Sequence, residues 1–296
     1  MKTKNDFYKN PPEMALFEIT TRCNLACSYC VARSLVKHPS DLPMEKIQEL
    51  KKSLDFFEYI AFCGLGESLI HENFYQILGI FKDKKVVIVT NGSIPIDYHR
   101  LTVYDNVDAI SFSVDGATEE NMKQISSNYR FDILLKNLEN ASKYGVNIAF
   151  NTTITKENID QIEDLQEMVI KYKVNRFKVG LPLGKEKWVR KNFNWLQKVL
   201  KKLEKRMKIM GVDYEGPFEV KCSFNNAPIA VVSKNGNIYP CCDYFCSRPL
   251  AGNLYYSNFE TLWKKSSYDK FRTGEFCNTC KQYHNSKELI DLYTKE

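Results

Sequence analysis

Short apolar runs alternate with amphipathic segments along the first two thirds of the chain. Between most of the apolar runs lie stretches of helical period, of which Met44–Phe56 and Ile159–Tyr172 are the clearest. Alternation of this kind is typical of βαβ units with right-handed crossovers, which form a parallel sheet. The pattern predicts an α/β fold, a partial (β/α)6 TIM-like barrel, with six strands at Ala15–Ile19, Tyr59–Phe62, Val86–Val89, Ala109–Val114, Asn147–Thr153 and Arg176–Val179.

The periodicity changes after residue 184, which divides the chain into three expected parts. The barrel is predicted over residues 14–184, and a long basic linking helix over 185–215. Residues 216–296 are rich in cysteine and loops, with short strand-like runs at Ile229–Ser233 and Gly236–Tyr239. Since so little apolar periodicity rarely supports a core, we expect a metal to stabilise this small C-terminal module.

Composition and charge narrow the class of protein. Hydrophobic residues make up 44% and charged residues 26%, which is typical of a globular chain rather than a disordered one. Since we find neither a membrane-spanning apolar run nor a signal peptide, we expect a cytoplasmic protein with no membrane partner. The net charge of +6 is dispersed among acidic residues, so nucleic acid is not an expected partner.

Ten cysteines in a reducing compartment favour metal binding or catalysis over disulfides. Cys23, Cys27 and Cys30 follow the first predicted strand in the segment T-R-C-N-L-A-C-S-Y-C. Three thiolates at this spacing can bind one face of an iron–sulfur cube and leave one iron open. Spacing alone also allows a zinc site with a distant fourth ligand.

The C-x-x-x-C-x-x-C spacing, with an aromatic residue before the last cysteine, resembles the signature of radical S-adenosylmethionine (radical SAM) enzymes. The resemblance implies that Cys23, Cys27 and Cys30 bind a [4Fe–4S] cluster and that Tyr29 packs beside the adenine. In that family, the open iron chelates S-adenosylmethionine, and reductive cleavage releases a 5′-deoxyadenosyl radical that abstracts hydrogen from a substrate. A reducing partner such as flavodoxin or ferredoxin is therefore expected.

Three further segments that follow predicted strands are similar to cofactor-binding loops of that family. The segment F-C-G-L-G-E-S is similar to the G-G-E-P loop, with serine in place of proline, and T-N-G and S-F-S-V-D-G follow the next two strands. Many relatives place an arginine at the position of Ser126, and Arg130 is the expected substitute. With Tyr29, the residues expected to contact the cofactor are Gly64, Gly66, Glu67, Ser68, Asn91, Ser113, Asp115 and Arg130.

The later cysteines resemble the twitch module, a shortened form of the SPASM extension of radical SAM enzymes. The resemblance includes the segment G-N-I-Y-P-C and implies one auxiliary [4Fe–4S] cluster, so two clusters in all. Structural zinc is the alternative. The implied ligands of the auxiliary cluster are Cys222, Cys241, Cys277 and Cys280.

Cys242 and Cys246 remain beside these ligands. A thiol near the cavity could donate a hydrogen atom to a substrate radical, as in some epimerases of the family, so both are candidate catalytic residues. The alternative is that both are small buried apolar side chains.

The expected substrate is a small polar molecule such as an amino sugar or aminocyclitol, which is oxidised or epimerised. The module size and cysteine spacing are similar to those of aminocyclitol dehydrogenases, and only 22 residues precede Cys23, which leaves no room for a leader-binding domain. One alternative is a maturase or epimerase of a ribosomally made peptide, with Cys242 or Cys246 as the hydrogen donor. A non-enzymatic binding protein stabilised by metal is the other.

Overall fold

The fold is built on a single sheet, as seen in a computed structural model that describes residues 11–181, 186–217, 229–240, 250–265 and 268–269. Within these residues the strand order is β10-β9-β8-β1-β2-β3-β4-β5-β6-β7. The strands are β1 Met14–Phe17, β2 Tyr59–Phe62, β3 Lys85–Thr90, β4 Val107–Ser113, β5 Asn147–Thr153, β6 Arg176–Gly180, β7 Asp213–Glu215, β8 Ile229–Val232, β9 Asn237–Tyr239 and β10 Gly252–Asn253.

Strands β1 to β7 pair in sequence order and are all parallel. The six strands predicted from apolar runs correspond to β1 to β6, with ends that differ by two residues or fewer. The helices that connect β1 to β6 are α1 Ala32–Leu35, α2 Met44–Leu54, α3 Phe74–Ile80, α4 Tyr98–Leu101, α5 Glu119–Ile125, α6 Phe131–Lys143 and α7 Ile162–Lys171. Helices α8 Glu186–Lys191 and α9 Phe193–Ile209 lie between β6 and β7, and α10 Phe259–Trp263 follows β10. The predicted partial TIM-like barrel is confirmed.

The helices bury the faces that their periodicity predicts. Helix α2 begins after Pro43 and buries Ile47, Leu50 and Leu54, which lie three and four residues apart and so share one face. In β5 every second side chain is buried, namely those of Ile148, Phe150 and Thr152, because successive side chains of a strand point to opposite faces of the sheet. Burial of each large apolar side chain contributes about 1.5–3 kcal/mol, so these stripes attach the helices to the sheet.

The predicted linking helix over 185–215 is instead two helices and a strand. Helix α8 ends before Asn192, whose backbone is not helical (φ −111°, ψ 16°) and whose side-chain amide donates to the carbonyl of Trp188 at 2.8 Å. Helix α9 follows and ends at Ile209, and Asp213–Glu215 then pairs with β6. The backbone amide of Asn192 also donates to the carbonyl of Trp188, at 3.1 Å, so the last turn of α8 is closed and the helical path is interrupted at Asn192 alone.

The strand-like runs predicted in the C-terminal module are β8 and β9, an antiparallel pair. Strand β8 also pairs in parallel with β1, with Ala15 opposite Ala230 and Phe17 opposite Val232. The sheet of the barrel therefore continues into this module. Among the described residues, no helix has the length and apolar character that crossing a membrane requires.

Candidate iron–sulfur and cofactor site

Parallel strands place their carboxyl ends at one edge of the sheet, where ligands bind in folds of this kind. Four loops leave strands β1 to β4 at this edge. They are the cysteine loop (residues 21–30), the glycine loop (63–68), the asparagine loop (91–93) and the aspartate loop (114–117). Hydrogen bonds between these loops, described below, gather them into one site.

The three cysteines of the first motif lie in the cysteine loop, whose backbone is irregular. Cys23 is exposed, Cys27 and Cys30 are half-buried, and the amide of Cys30 donates to the carbonyl of Cys27 at 3.1 Å. Burial, and then the nearby Cys30 and Cys23, raise the pKa of Cys27 to about 12. Although Cys23 is exposed to solvent on one side, desolvation by the surrounding loops raises its pKa, and Glu67 and Cys30 add to the rise.

These thiols fit an iron–sulfur cluster better than they fit a free thiolate site. Their mutual repulsion and burial oppose the charged form, and bound iron would supply the positive charge that holds them as thiolates. In a cube, each thiolate binds a different iron, so three ligands need not converge on one point. Within the described part of the chain, no group of three or more His, Cys, Asp or Glu side chains could hold a single metal ion.

The carboxylate of Glu67 joins the glycine loop to the asparagine loop. It accepts hydrogen bonds from the amide of Asn91 at 2.7 Å and from the amide of Leu69 at 3.2 Å. Burial raises the pKa of Glu67 to about 7, although these hydrogen bonds act in the opposite direction. The Glu67 amide also donates to the carbonyl of Arg22 at 2.8 Å, which ties the glycine loop to the cysteine loop.

Gly66 is required by a close approach between two protein loops. A Cβ atom at this position would lie 2.5 Å from the carbonyl oxygens of Thr20 and Arg22, well inside van der Waals contact. At Gly64 a Cβ atom would lie 2.6 Å from Cγ of Glu18, a buried residue. Gly64 and Gly66 were predicted to contact the cofactor, and the structure shows that the neighbouring loop also occupies the space beside them.

Asp115 lies buried at the end of β4 and is bonded on several sides. Its carboxylate accepts from the hydroxyl of Tyr29 and, at 2.6 Å, from the amide of Thr153, while Asn158 donates to its carbonyl at 2.8 Å. Burial raises the pKa of Asp115 to about 6, against the effect of these donors. Burial, and then Asp115, raise the pKa of Tyr29. Tyr29 lies between Cys27 and Cys30, so this bond anchors the cysteine loop to the aspartate loop.

The side chain of Asn91 is occupied within the protein. Its amide group donates to Oδ1 of Asn24 at 2.9 Å, and its carbonyl oxygen accepts from the hydroxyl of Ser93 at 2.7 Å. Ser68 is buried at the start of a 3-10 turn, and Ser113 is half-buried at the end of β4. All of these predicted residues line the same edge of the sheet, and their contacts with cofactor stay predictions.

Arg130 lies on the protein surface at the start of α6. Its guanidinium binds both carboxylate oxygens of Asp132, at 3.1 and 3.0 Å, and 60% of its side chain is exposed. Its predicted contact with the cofactor carboxylate would require it to leave this pair. Ser126, at the position where many relatives have arginine, is buried against the cysteine loop instead.

Several residues that hydrogen-bond the four loops to one another were not predicted from the sequence. Asn24, Ser93, Asn128 and Tyr129 each bond to one of the four loops. The stretch Q-I-S-S-N-Y carries turn-forming residues, which indicated a loop but gave no indication of its partners.

The auxiliary ligands and the candidate hydrogen donors lie outside the described residues. Their roles stay predictions, and they are Cys222, Cys241, Cys242, Cys246, Cys277 and Cys280.

Two family models match the chain in the regions of the two cysteine groups. The one described as the Radical SAM superfamily matches residues 17–169, just over half of the chain, and the one described as an iron–sulfur cluster-binding domain, SPASM, matches residues 222–282. Together they imply S-adenosylmethionine, a [4Fe–4S] cluster and auxiliary iron–sulfur, as predicted.

The chain is also similar to curated proteins and, in its fold, to solved structures. The chain is 23% identical to mycofactocin maturase MftC of Mycobacterium tuberculosis, over 93% of this chain and 77% of MftC. It is 24% identical to the subtilosin biosynthesis protein AlbA of Bacillus subtilis, over 85% of this chain and 59% of AlbA. Its fold is similar to that of Streptococcus suis SuiB bound to S-adenosylmethionine, with a TM-score of 0.72 at 14% identity, over 92% of this chain and 71% of SuiB.

The strand ends gather three cysteines and the glycine, asparagine and aspartate loops, and the family model spans these same residues. The predicted membership of the radical SAM family, the predicted fold and the predicted cofactors are therefore confirmed. The chain belongs to the radical SAM superfamily and is a radical SAM enzyme with a C-terminal iron–sulfur cluster-binding domain.

Proposed function

We propose that this enzyme is a maturase that modifies a ribosomally synthesised peptide. The observation that carries the proposal is the alignment with MftC, a protein named as a maturase, which covers 93% of this chain. An alignment of that extent includes both the barrel and the C-terminal module. Similarity over both the barrel and the module supports a shared substrate class more strongly than similarity over the barrel alone.

Two further relatives support a peptide substrate. AlbA is a biosynthesis protein of the bacteriocin subtilosin, and SuiB has also been crystallised with its precursor peptide SuiA. The similarity to SuiB concerns the fold. These comparisons favour the peptide alternative over the amino sugar or aminocyclitol that the module size and cysteine spacing suggested.

The residues of this chain would hold and orient the reacting groups. Cys23, Cys27 and Cys30 would bind the cluster, and the amide and carboxylate of Glu67 fix the glycine loop against its neighbours. When bound, the reduced cluster and S-adenosylmethionine supply a 5′-deoxyadenosyl radical for hydrogen abstraction. The buried carboxylates hold the loops through hydrogen bonds to backbone amides, and such a preformed arrangement costs little reorganisation during the reaction.

The outcome of the reaction depends on how the substrate radical is quenched. A thiol of Cys242 or Cys246 would donate a hydrogen atom and give epimerisation, which leaves a thiyl radical for the reducing partner to reduce. Loss of an electron to the auxiliary cluster and of a proton to solvent would give net oxidation. Both routes remain compatible with a peptide substrate, and the product mass distinguishes them because oxidation removes two hydrogens.

The proposal is tested with peptides encoded by the short reading frames beside the gene of this enzyme. The anaerobic holoenzyme is mixed with dithionite, S-adenosylmethionine and each synthetic peptide, and both 5′-deoxyadenosine and peptide mass are measured. We expect one peptide to stimulate 5′-deoxyadenosine formation and to change in mass, or to gain deuterium in deuterated water. Aminocyclitols are assayed in parallel, and their conversion with every peptide unchanged contradicts the proposal.

The hydrogen-donor hypothesis has a separate test. Cys242→Ala and Cys246→Ala are assayed with the peptide in deuterated water. If one thiol is the donor, its variant loses deuterium incorporation at carbon while still forming 5′-deoxyadenosine. Deuterium incorporation that persists in both variants excludes this role.

A further inference from the structure

We propose that the turn over residues 125–129 is a clamp that positions the cluster-binding cysteines, with Ser126 and Asn128 as its positioning residues. The turn links the end of α5 to α6 and lies about 100 residues from the cysteine loop along the chain. The inference rests on family membership and is independent of the peptide substrate.

The turn bonds to three backbone groups of the cysteine loop. The carbonyl of Ile125 accepts from the amide of Ser28 at 3.0 Å, and Oγ of Ser126 accepts from the amide of Ala26 at 3.2 Å. The side-chain amide of Asn128 donates to the carbonyl of Asn24 at 2.5 Å. These three groups all lie between Cys23 and Cys30, so the clamp acts on the segment that carries the ligands.

Hydrogen bonds within the turn fix the geometry of the clamp. The hydroxyl of Ser126 donates to Oδ1 of Asn128 at 2.8 Å, which leaves its lone pairs directed at Ala26. The amide of Ser126 donates to the carbonyl of Met122 at 3.0 Å and so anchors the turn to α5. Ser126 is only 4% exposed, so its hydroxyl is hydrogen-bonded to Ala26 and Asn128 within the protein.

The same turn reaches a second loop of the site. Tyr129 is buried, and its hydroxyl donates to the carbonyl of Asn91 at 2.5 Å. The side chain of Asn91 in turn donates to Oδ1 of Asn24 at 2.9 Å. One short segment therefore sets the position of the asparagine loop relative to the cysteine loop.

An irregular loop needs such external partners to hold three ligands in place. Its own backbone offers few internal partners, and buried backbone groups left without one are costly. Ligands held by an outer layer of hydrogen bonds bind metal more tightly than ligands on a loose loop. Ser126 therefore acts through the backbone of Ala26 and not by contact with the cofactor.

The test compares Ser126→Ala with Ser127→Ala in the anaerobic holoenzyme. Ser127 is the exposed neighbour, so its variant controls for the loss of a hydroxyl in the same turn. Three properties are measured: iron release to a chelator, hydrogen exchange of the Ala26 and Ser28 amides, and the electron paramagnetic resonance spectrum of the reduced cluster with S-adenosylmethionine. Loss of one hydrogen bond predicts that Ser126→Ala speeds release and exchange by about three- to tenfold. We also expect a change in the cofactor-induced spectrum.

Asn128→Ala is the second variant; the side chain of Asn128 is exposed, so its removal leaves the hydrophobic core intact. We expect it to speed iron release and Ala26 exchange in the same direction as Ser126→Ala. The proposal is overturned if both variants match Ser127→Ala in these properties. A lower melting temperature with unchanged release, exchange and spectrum also overturns it, because that result describes a purely structural turn.

Discussion

Tyr29 donates a hydrogen bond to the buried carboxylate of Asp115, so the residue predicted to pack beside adenine is also attached to the end of β4. Asp115 was predicted as a cofactor ligand, and its carboxylate is bonded to Tyr29 and to the amide of Thr153. The two residues therefore act as one unit, which a double-mutant cycle can measure.

Tyr29→Phe and Asp115→Asn are each expected to lower the free energy of unfolding of the cluster-free chain by about 1.5–3 kcal/mol, the usual effect of a charged hydrogen bond. The double variant should lose little more than the worse single variant, because both changes remove the same bond. The free energies of unfolding of the wild-type protein, the two single variants and the double variant are measured by chemical denaturation. Tyr172→Phe is the control, since its buried hydroxyl has no hydrogen-bond partner among the residues that the structure describes. Additive losses would show that the bond does not form.

Gly66 has no room for a side chain, which gives a second prediction at this scale. Gly66→Ala brings Cβ to 2.5 Å from two backbone oxygens, so the glycine loop must move away from the cysteine loop. We expect a loss of more than about 1 kcal/mol in unfolding free energy, comparable to overpacking in a core. Gly180→Ala is the matched control, because the nearest described atom outside its chain neighbours, the carbonyl oxygen of Thr152, would lie 4.0 Å from its Cβ. Equal stability of the two variants contradicts this account.

Motif residues can be predicted from the sequence, whereas their bonds cannot. The spacing of Cys23, Cys27 and Cys30 is local and resembles a known signature, so it points to their chemistry directly. The carboxylate of Glu67, in contrast, bonds to the amide of Asn91, 24 residues away. Which loop faces which depends on strand order and turn geometry, and no local pattern of residues encodes that.

Among the elements, β7 shows what apolar periodicity misses. Asp213–Glu215 has no apolar run, yet it pairs with β6. Ion pairs support it, since Glu215 binds Arg176 at 2.8 Å and Lys178 at 2.7 Å. The strands β1 to β6 were predictable because each carries an apolar run, whereas β7, at the edge of the described part of the sheet, is held by charges and has no such signature.

The Glu215 pair predicts a pH dependence of stability. Burial disfavours its charge, but the hydrogen bond and charge of Lys178, with Arg176, outweigh burial and hold the pKa of Glu215 below its usual value of 4.5. A carboxyl with a lowered folded pKa stabilises the fold above about pH 4.5 and loses this contribution as pH falls through the folded pKa. Glu215→Gln should therefore cost up to about 1 kcal/mol near pH 7 and progressively less below pH 4.5.

Unfolding of the cluster-free chain at several pH values measures this difference. Glu163→Gln, which removes an exposed partner of Lys202, is the control for loss of a surface pair. A Glu215→Gln deficit that stays constant from pH 7 to pH 4 would show that packing, and not charge, holds β7 in place.

At the scale of the whole molecule, the barrel and the C-terminal module share one sheet through the parallel pair β1 and β8. The predicted boundary at residue 216 marks a change in amino-acid composition. The pairing of β1 with β8 nevertheless joins strands on the two sides of this boundary. Composition can show where cysteine and loop content rise. It cannot show pairing between strands more than 200 residues apart, because that pairing depends on the folded path of the chain.

The central claim is that Cys23, Cys27 and Cys30 bind the cluster that cleaves S-adenosylmethionine and that the C-terminal module binds a second cluster. The most direct measurement is an iron and sulfide count on the anaerobically purified protein, together with 5′-deoxyadenosine formation after reduction. We predict about eight irons per chain, and about four with no 5′-deoxyadenosine in Cys27→Ala. Zinc in place of iron, or cleavage that survives in Cys27→Ala, would contradict the account.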